Sequence, residues 1–282
     1  MKRRISCILV ALTLVTFISC SKKNVAETNF NRIVSLGPSA TEILFAIGAG
    51  DKIVARTDFC DYPEQVSDIP SVGGFDSTNI SLESIISFEP DLVYLFAGMH
   101  DNLIKPLEEL GIKVFVSDAS SIKAIEKEIL DAGKLINRQE EAVNVVAEMD
   151  AKLSEVRNFA AESRKEGEYP SVFWQVWDEP LMSVGKQSFI NDMISAAGGK
   201  NIFEDIDAAY PIVSEEAVIA ANPKYIFITG NADNRSKILF NAMKKDSGAT
   251  VCYVDSDKFS RPSPRCVDAV EEISKKIYGK TK

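Results

Sequence analysis

Six short apolar runs, each closed by turn residues, punctuate the chain at 33–36, 92–96, 114–116, 172–176, 225–229 and 251–254. Runs this short and this apolar read as buried strands, and the stretches between them carry helical patterns. The alternation predicts an α/β fold of mainly parallel β-sheets flanked by helices. Helix starts are marked as well. Ser39 and Glu42 have the spacing of a capping box ahead of Ile43, Leu44, Ala46 and Ile47. Ser263-Pro264 places a capping hydroxyl before a first-turn proline at the start of the last helix.

The second half of this pattern repeats the first. Residues 81–98 open with Ser81-Leu-Glu83 and reach Pro90 just before an apolar run; residues 214–230 open with Ser214-Glu-Glu216 and reach Pro223 just before another. The offset from glutamate to proline is the same in both copies, and each copy leads on to a further helix and strand. Two similar lobes are therefore expected, 32–120 and 166–282, with a ligand cleft between them. The intervening 121–165 lacks proline and carries Val146, Met149, Leu153, Val156 and Ala160 at helical spacing, with Asn137-Arg138 as a break or cap. A helical connector of this kind bends less than extended crossover strands, so small lobe closure is predicted.

The N-terminus carries an address. Residues 1–19 combine Lys2, Arg3 and Arg4 with an apolar stretch too short to span a bilayer, the pattern of a secretory signal peptide. Phe17-Ile-Ser-Cys20 resembles a bacterial lipobox, which implies cleavage before Cys20, its acylation, and a polar tether over 20–31. The expected location is outside the cytoplasm, on the cell membrane, facing the periplasm or the exterior. In such an oxidising compartment Cys252 and Cys266 are candidates for a bridge, with Cys60 in a loop of the first lobe; the spacing leaves the pairing open.

Composition changes this picture only by exclusion. The 282 residues are 45% hydrophobic and 26% charged, which removes collagen-like, low-complexity and polytopic membrane classes. With 32 basic and 41 acidic side chains the net charge is −9, so the phosphate backbone of a nucleic acid is repelled overall. The single histidine and the absence of paired CxxC spacings argue against structural zinc. Nucleophile elbows, P-loops, HExxH and glycine-rich dinucleotide fingerprints are all absent, which sets an exported α/β enzyme well behind a binding protein. An adhesin or assembly factor would need neither the paired glutamates nor the aromatic loops.

Several segments together resemble the periplasmic binding proteins that have a single helical backbone and serve ABC importers of vitamin B12, haem and ferric siderophores. They are the stretch from Arg32 to Gly48, Asp58-Phe-Cys-Asp-Tyr-Pro63, Val72-Gly-Gly-Phe75, Glu89-Pro-Asp-Leu-Val93, Gly199-Lys-Asn-Ile-Phe203, Tyr210-Pro-Ile-Val-Ser214 and Arg261-Pro-Ser-Pro-Arg265. The cobalamin-binding branch is the nearest in its second and sixth segments. The resemblance implies a two-lobed receptor with no cofactor of its own. It implies capture of cobalamin or a related corrinoid and delivery to a permease dimer with cytoplasmic ATPase subunits. Phe59, Phe75, Phe96 and Tyr210 match aromatic wall positions; Val176 replaces a usual aromatic, with Trp177 beside it. Phe259 falls in another binding segment, and Asp257 and Arg261 match positions near the ligand's amide side chains. Large rings suit a flat macrocycle, because they supply apolar area with few rotatable bonds.

Glu83 and Glu216 take the first turn of matching helices, where an acid is favoured by the helix N-terminus. The resemblance adds that one such glutamate on each lobe docks on arginines of the two permease subunits. Haem is the competing ligand of the same importer class. It would require an axial ligand, for which Met99, His100 and Tyr62 are candidates, and arginines for its propionates, for which Arg56, Arg261 and Arg265 are candidates. A ferric siderophore would use the same arginines. For His100, in a polar loop after Gly98, a solvated surface position is the simpler expectation.

Overall fold

The computed structural model describes residues 29–165, 167–229, 243, 245 and 248–279. The signal segment 1–19, Cys20 and most of the tether lie outside the described residues.

Two four-stranded sheets carry the fold. The first contains β1 (Ile33–Ser35), β2 (Ile53–Arg56), β3 (Leu92–Phe96) and β4 (Lys113–Ser117) in the order β2-β1-β3-β4. The second contains β5 (Ser171–Gln175), β6 (Lys200–Asn201), β7 (Tyr225–Thr229) and β8 (Thr250–Val254) in the order β6-β5-β7-β8. All ladders are parallel, and the orders superimpose position by position, as the repeat predicts. The central strands β1, β3, β5 and β7 are buried almost throughout, which is why they appear as continuous apolar runs. The edge strands β2 and β6 escaped the sequence reading. Alternate residues of β2 are only partly buried, and β6 is a two-residue Lys-Asn pair with no apolar run at all.

Short capped helices precede the matching strands. In α2 (Leu82–Ile86) Ser81 accepts a hydrogen bond from the Ser84 amide at 3.0 Å, and in α7 (Glu215–Ala221) Ser214 accepts one from the Ala217 amide at 3.2 Å. Two other predicted caps are not formed. Helix α1 (Pro38–Ala46) starts from Gly37 with Pro38 in its first turn, so Ser39 lies inside the helix and Glu42 turns inward. Helix α9 (Cys266–Tyr278) starts from Arg265, and the Ser263 hydroxyl instead donates to Glu42 at 2.5 Å. The causes differ: α1 begins two residues before the expected cap, at Gly37-Pro38, whereas the buried carboxylate of Glu42 takes the Ser263 hydroxyl that would otherwise cap the last helix.

The connector is α4 (Ile122–Leu135) and α5 (Gln139–Ser163), separated where Asn137 takes a left-handed φ of 59°. Met149, Leu153, Val156 and Ala160 are buried along α5, the stripe expected from spacing. Gly133 allows α4 and α5 to meet, since a Cβ there would collide with the methyl of Ala142. An acid of α6 (Phe189–Ala196) joins the second lobe to the connector: Asp192 accepts from the Ile122 amide at 2.8 Å, at the start of α4. One apolar cluster runs from Ile33 and Tyr94 of the first sheet through Ile43, Met149 and Leu153 to Trp174, Phe227 and Val270 of the second lobe. The lobes thus share an interior. Cys60, Cys252 and Cys266 are all buried free thiols, so the bridge left open by the spacing is not made.

Candidate functional site

Loops at the C-terminal ends of the strands converge between the lobes, the position where open parallel sheets bind ligands. They enclose a cavity of about 390 Å3. The first lobe contributes Pro38 and Ser39 after β1, Phe59 and Phe75 from the loops after β2, Phe96 at the end of β3 and Met99 just beyond it. The second contributes Phe189, Tyr210, Asp257 and Arg261. Seven of the candidate site residues singled out in the sequence therefore meet at one place: Phe59, Phe75, Phe96, Met99, Tyr210, Asp257 and Arg261.

The aromatic wall is braced from behind. Phe59 and Phe75 pack edge to face with ring centres 5.4 Å apart, and both remain about half exposed. His100 is completely buried rather than solvated. Its Nδ1 accepts the Phe96 amide at 3.2 Å, which leaves Nε2 as the donor to the Phe75 carbonyl, also at 3.2 Å. The imidazole ties two wall segments together, and burial holds its pKa below the usual value. Both ring nitrogens are spent on backbone, so His100 has no lone pair directed at a ligand.

Charge is concentrated on the cleft floor. Arg261 donates through Nη1 to Asp61 at 2.5 Å and to Glu42 at 3.1 Å, through Nη2 to the Phe59 carbonyl at 3.4 Å, and pairs with Asp257 at 3.2 Å. Arg265 grips Glu42 with two donors, Nε at 2.9 Å and Nη2, while its guanidinium lies 3.9 Å from the centre of the Tyr62 ring. The Arg261 guanidinium holds the Asp61 carboxyl below the ordinary aspartate range. Arg56 is occupied too, donating to the Val66 carbonyl at 3.1 Å and to the Thr57 carbonyl at 2.9 Å.

Other expected residues lie elsewhere. Phe259, on α8 (Ser256–Ser260), is wholly buried with its ring centre 5.4 Å from that of Trp174, so it packs the second lobe instead of facing the cleft. Trp177 is 62% exposed, donates its indole N–H to the Glu179 carbonyl and stays outside the cavity lining. Tyr62 lines a different and larger cavity of about 660 Å3, with Phe45, Val145, Met149, Lys152 and Arg265 between α1, α5 and α9. That cavity lies behind the cleft floor, with Glu42 and Arg265 in its wall. Sequence reading missed Pro38, Ser39 and Phe189 as lining residues, and Glu42 as part of the floor. The β1–α1 turn was the available signal for the first two, because it sits where the strand order reverses. Glu83 and Glu216 are both exposed in the first turns of α2 and α7.

A two-lobed α/β molecule with paired parallel sheets, a helical connector and an aromatic interlobe cleft has the architecture of a solute-binding protein. The sequence profile described as periplasmic binding protein matches residues 33–248, and the chain belongs to that family. It is a binding protein of the ABC-importer type and not an enzyme. The vitamin B12-binding protein of Vibrio campbellii is 31% identical over 247 residues, covering 86% of this chain and 87% of that one. The uncharacterized ABC transporter substrate-binding lipoprotein YvrC of Bacillus subtilis is 33% identical over 263 residues, covering 89% and 81%. Among solved structures, the periplasmic vitamin B12 binding protein BtuF of Vibrio cholerae superimposes with a TM-score of 0.74 at 28% identity, covering 89% of this chain and 99% of that one.

Proposed function

We propose that the protein captures cobalamin or a close corrinoid in the interlobe cleft and delivers it to an ABC permease dimer powered by cytoplasmic ATPase subunits. The lobes are 32–120 and 166–282, hinged on 121–165, with Glu83 and Glu216 as the docking pair and a lipid on Cys20 as the anchor. Relatives named for vitamin B12 support this ligand class.

The observation that carries the choice of ligand is the prior engagement of the polar groups that haem or an anionic siderophore would need. His100 has both nitrogens on backbone, and Tyr62 lies under Arg265 outside the cleft. Of the axial candidates only Met99 lines the cavity. Arg56, Arg261 and Arg265 are committed to carbonyls and carboxylates of the protein itself. What the cleft offers is aromatic area with a few polar groups at its floor. A corrinoid brings its own axial ligand and a neutral, amide-bearing periphery, and so asks for no more than this. A cavity of about 390 Å3 is smaller than a whole corrinoid, so the lobes must part or the ligand's rim must stand in solvent.

Titration of a soluble form beginning after Cys20 with cyanocobalamin in a calorimeter tests the reading. Saturable one-to-one binding with a Kd of about 1 μM or tighter, roughly −8 kcal/mol, is expected. Absence of heat at several temperatures would overturn the corrinoid reading and bring Met99 forward as a haem ligand.

A further inference from the structure

We infer that Glu42 determines ligand charge: by saturating Arg261 and Arg265 it makes the cleft reject carboxylate-bearing macrocycles in favour of neutral, amide-bearing ones. The inference rests on the reading of this cleft as the ligand site.

Glu42 belongs to α1 in the first lobe and is 3% exposed. Among the described residues its side-chain partners all come from the second lobe: Arg261 at 3.1 Å, the Ser263 hydroxyl at 2.5 Å, and Arg265 through two nitrogens. Asp61 reaches Arg261 across the same boundary, and Asp257 approaches it from its own lobe. Three carboxylates therefore surround two guanidiniums, leaving one negative charge in excess at the cleft floor. Arg261 is the cationic side chain that lines the cavity, and its donors already point into protein acceptors. A carboxylate on the ligand finds no open guanidinium fork there and meets the like charge of the acids that already surround Arg261. A primary amide meets no such penalty, since its N–H groups can donate to the carboxylate of Asp257, which lines the cavity. Glu42 does not itself line the cleft cavity. It is a positioning residue that acts through Arg261 and Arg265.

The probe is a matched pair of ligands, cyanocobalamin and a monocarboxylic acid derivative in which one peripheral amide has been hydrolysed. The measured quantity is the ratio of their dissociation constants on each protein. Wild type is expected to bind the acid at least tenfold more weakly than the amide. Glu42→Gln, which keeps an oxygen for Ser263 and frees a guanidinium, should bring the ratio close to one or below it, while Glu42→Asp should hold it near wild type. Asp257→Asn removes a more exposed member of the cluster and should narrow the ratio, so the inference stays testable if the α1 variants fold poorly. Ratios unchanged in both Glu42→Gln and Asp257→Asn overturn the inference. Equal narrowing in Glu42→Gln and Glu42→Asp overturns it as well, because geometry rather than charge would then be responsible. A wild-type protein that binds neither ligand overturns the reading of the cleft and the inference with it, a result distinguishable from the other two.

Discussion

The ring of Phe96 rests directly on Gly37, with no space between them for a Cβ. Gly37 has an extended backbone, φ 177°, that any residue adopts, so its requirement is steric and arises from the ring. Gly37→Ala should push Phe96 off the cavity wall. Overpacking of this kind costs about 1–3 kcal/mol, read as a lowered urea midpoint, and the displaced ring should weaken ligand binding about tenfold. Gly37→Ala with Phe96→Leu should recover stability without recovering affinity.

Removing Glu42 altogether leaves two guanidiniums in a largely buried site without their shared carboxylate. Breaking a buried pair by deleting one partner costs about 3–5 kcal/mol. Glu42→Ala should therefore lower the unfolding free energy by that order in denaturant melts. Arg265→Ala should cost less, because Arg261 and Ser263 continue to satisfy the acid.

His100 links stability to pH. Burial lowers its folded-state pKa beneath the ordinary 6.5 of the unfolded chain. The unfolded state then binds the proton more readily, so the contribution is complete above about pH 6.5 and declines as pH falls from there toward the depressed folded value. Thermal melts between pH 7.5 and about 5 should show a fall in Tm that His100→Gln, which can still donate to Phe75 and accept from Phe96, does not show. Identical pH profiles for the two proteins would count against a buried neutral imidazole.

Glu83 and Glu216 occupy equivalent first turns on the two lobes, away from the cleft lining. The double variant Glu83→Ala/Glu216→Ala should lose uptake in whole cells by tenfold or more while its calorimetric titration matches wild type. Undiminished uptake would remove docking from their role.

How much of this was written plainly in the sequence follows from where each residue's partners lie. The central strands were legible because burial on both faces leaves an unbroken apolar run. The stripe of Met149, Leu153, Val156 and Ala160 was legible because helical spacing records one buried face. Strands β2 and β6 were not, since β2 buries only alternate positions and β6 is a two-residue Lys-Asn pair with no apolar run. The role of Glu42 was hidden for a different reason. Its local spacing matches a capping box, whereas the partners that decide its conformation lie more than 200 positions away. Phe259 shows the converse: loop position and aromatic character favoured the cleft, but the turn of α8 delivers its ring to Trp174.

The interior shared by the two sheets through α5 bears on how the cargo leaves. Prising the lobes apart uncovers apolar surface at about 25 cal/mol per Å2, so even 100 Å2 of new exposure costs roughly 2.5 kcal/mol. Spontaneous gaping of that size is disfavoured accordingly in a body built this way. Under the proposed function, unloading the cleft becomes work that an outside machine must perform on it.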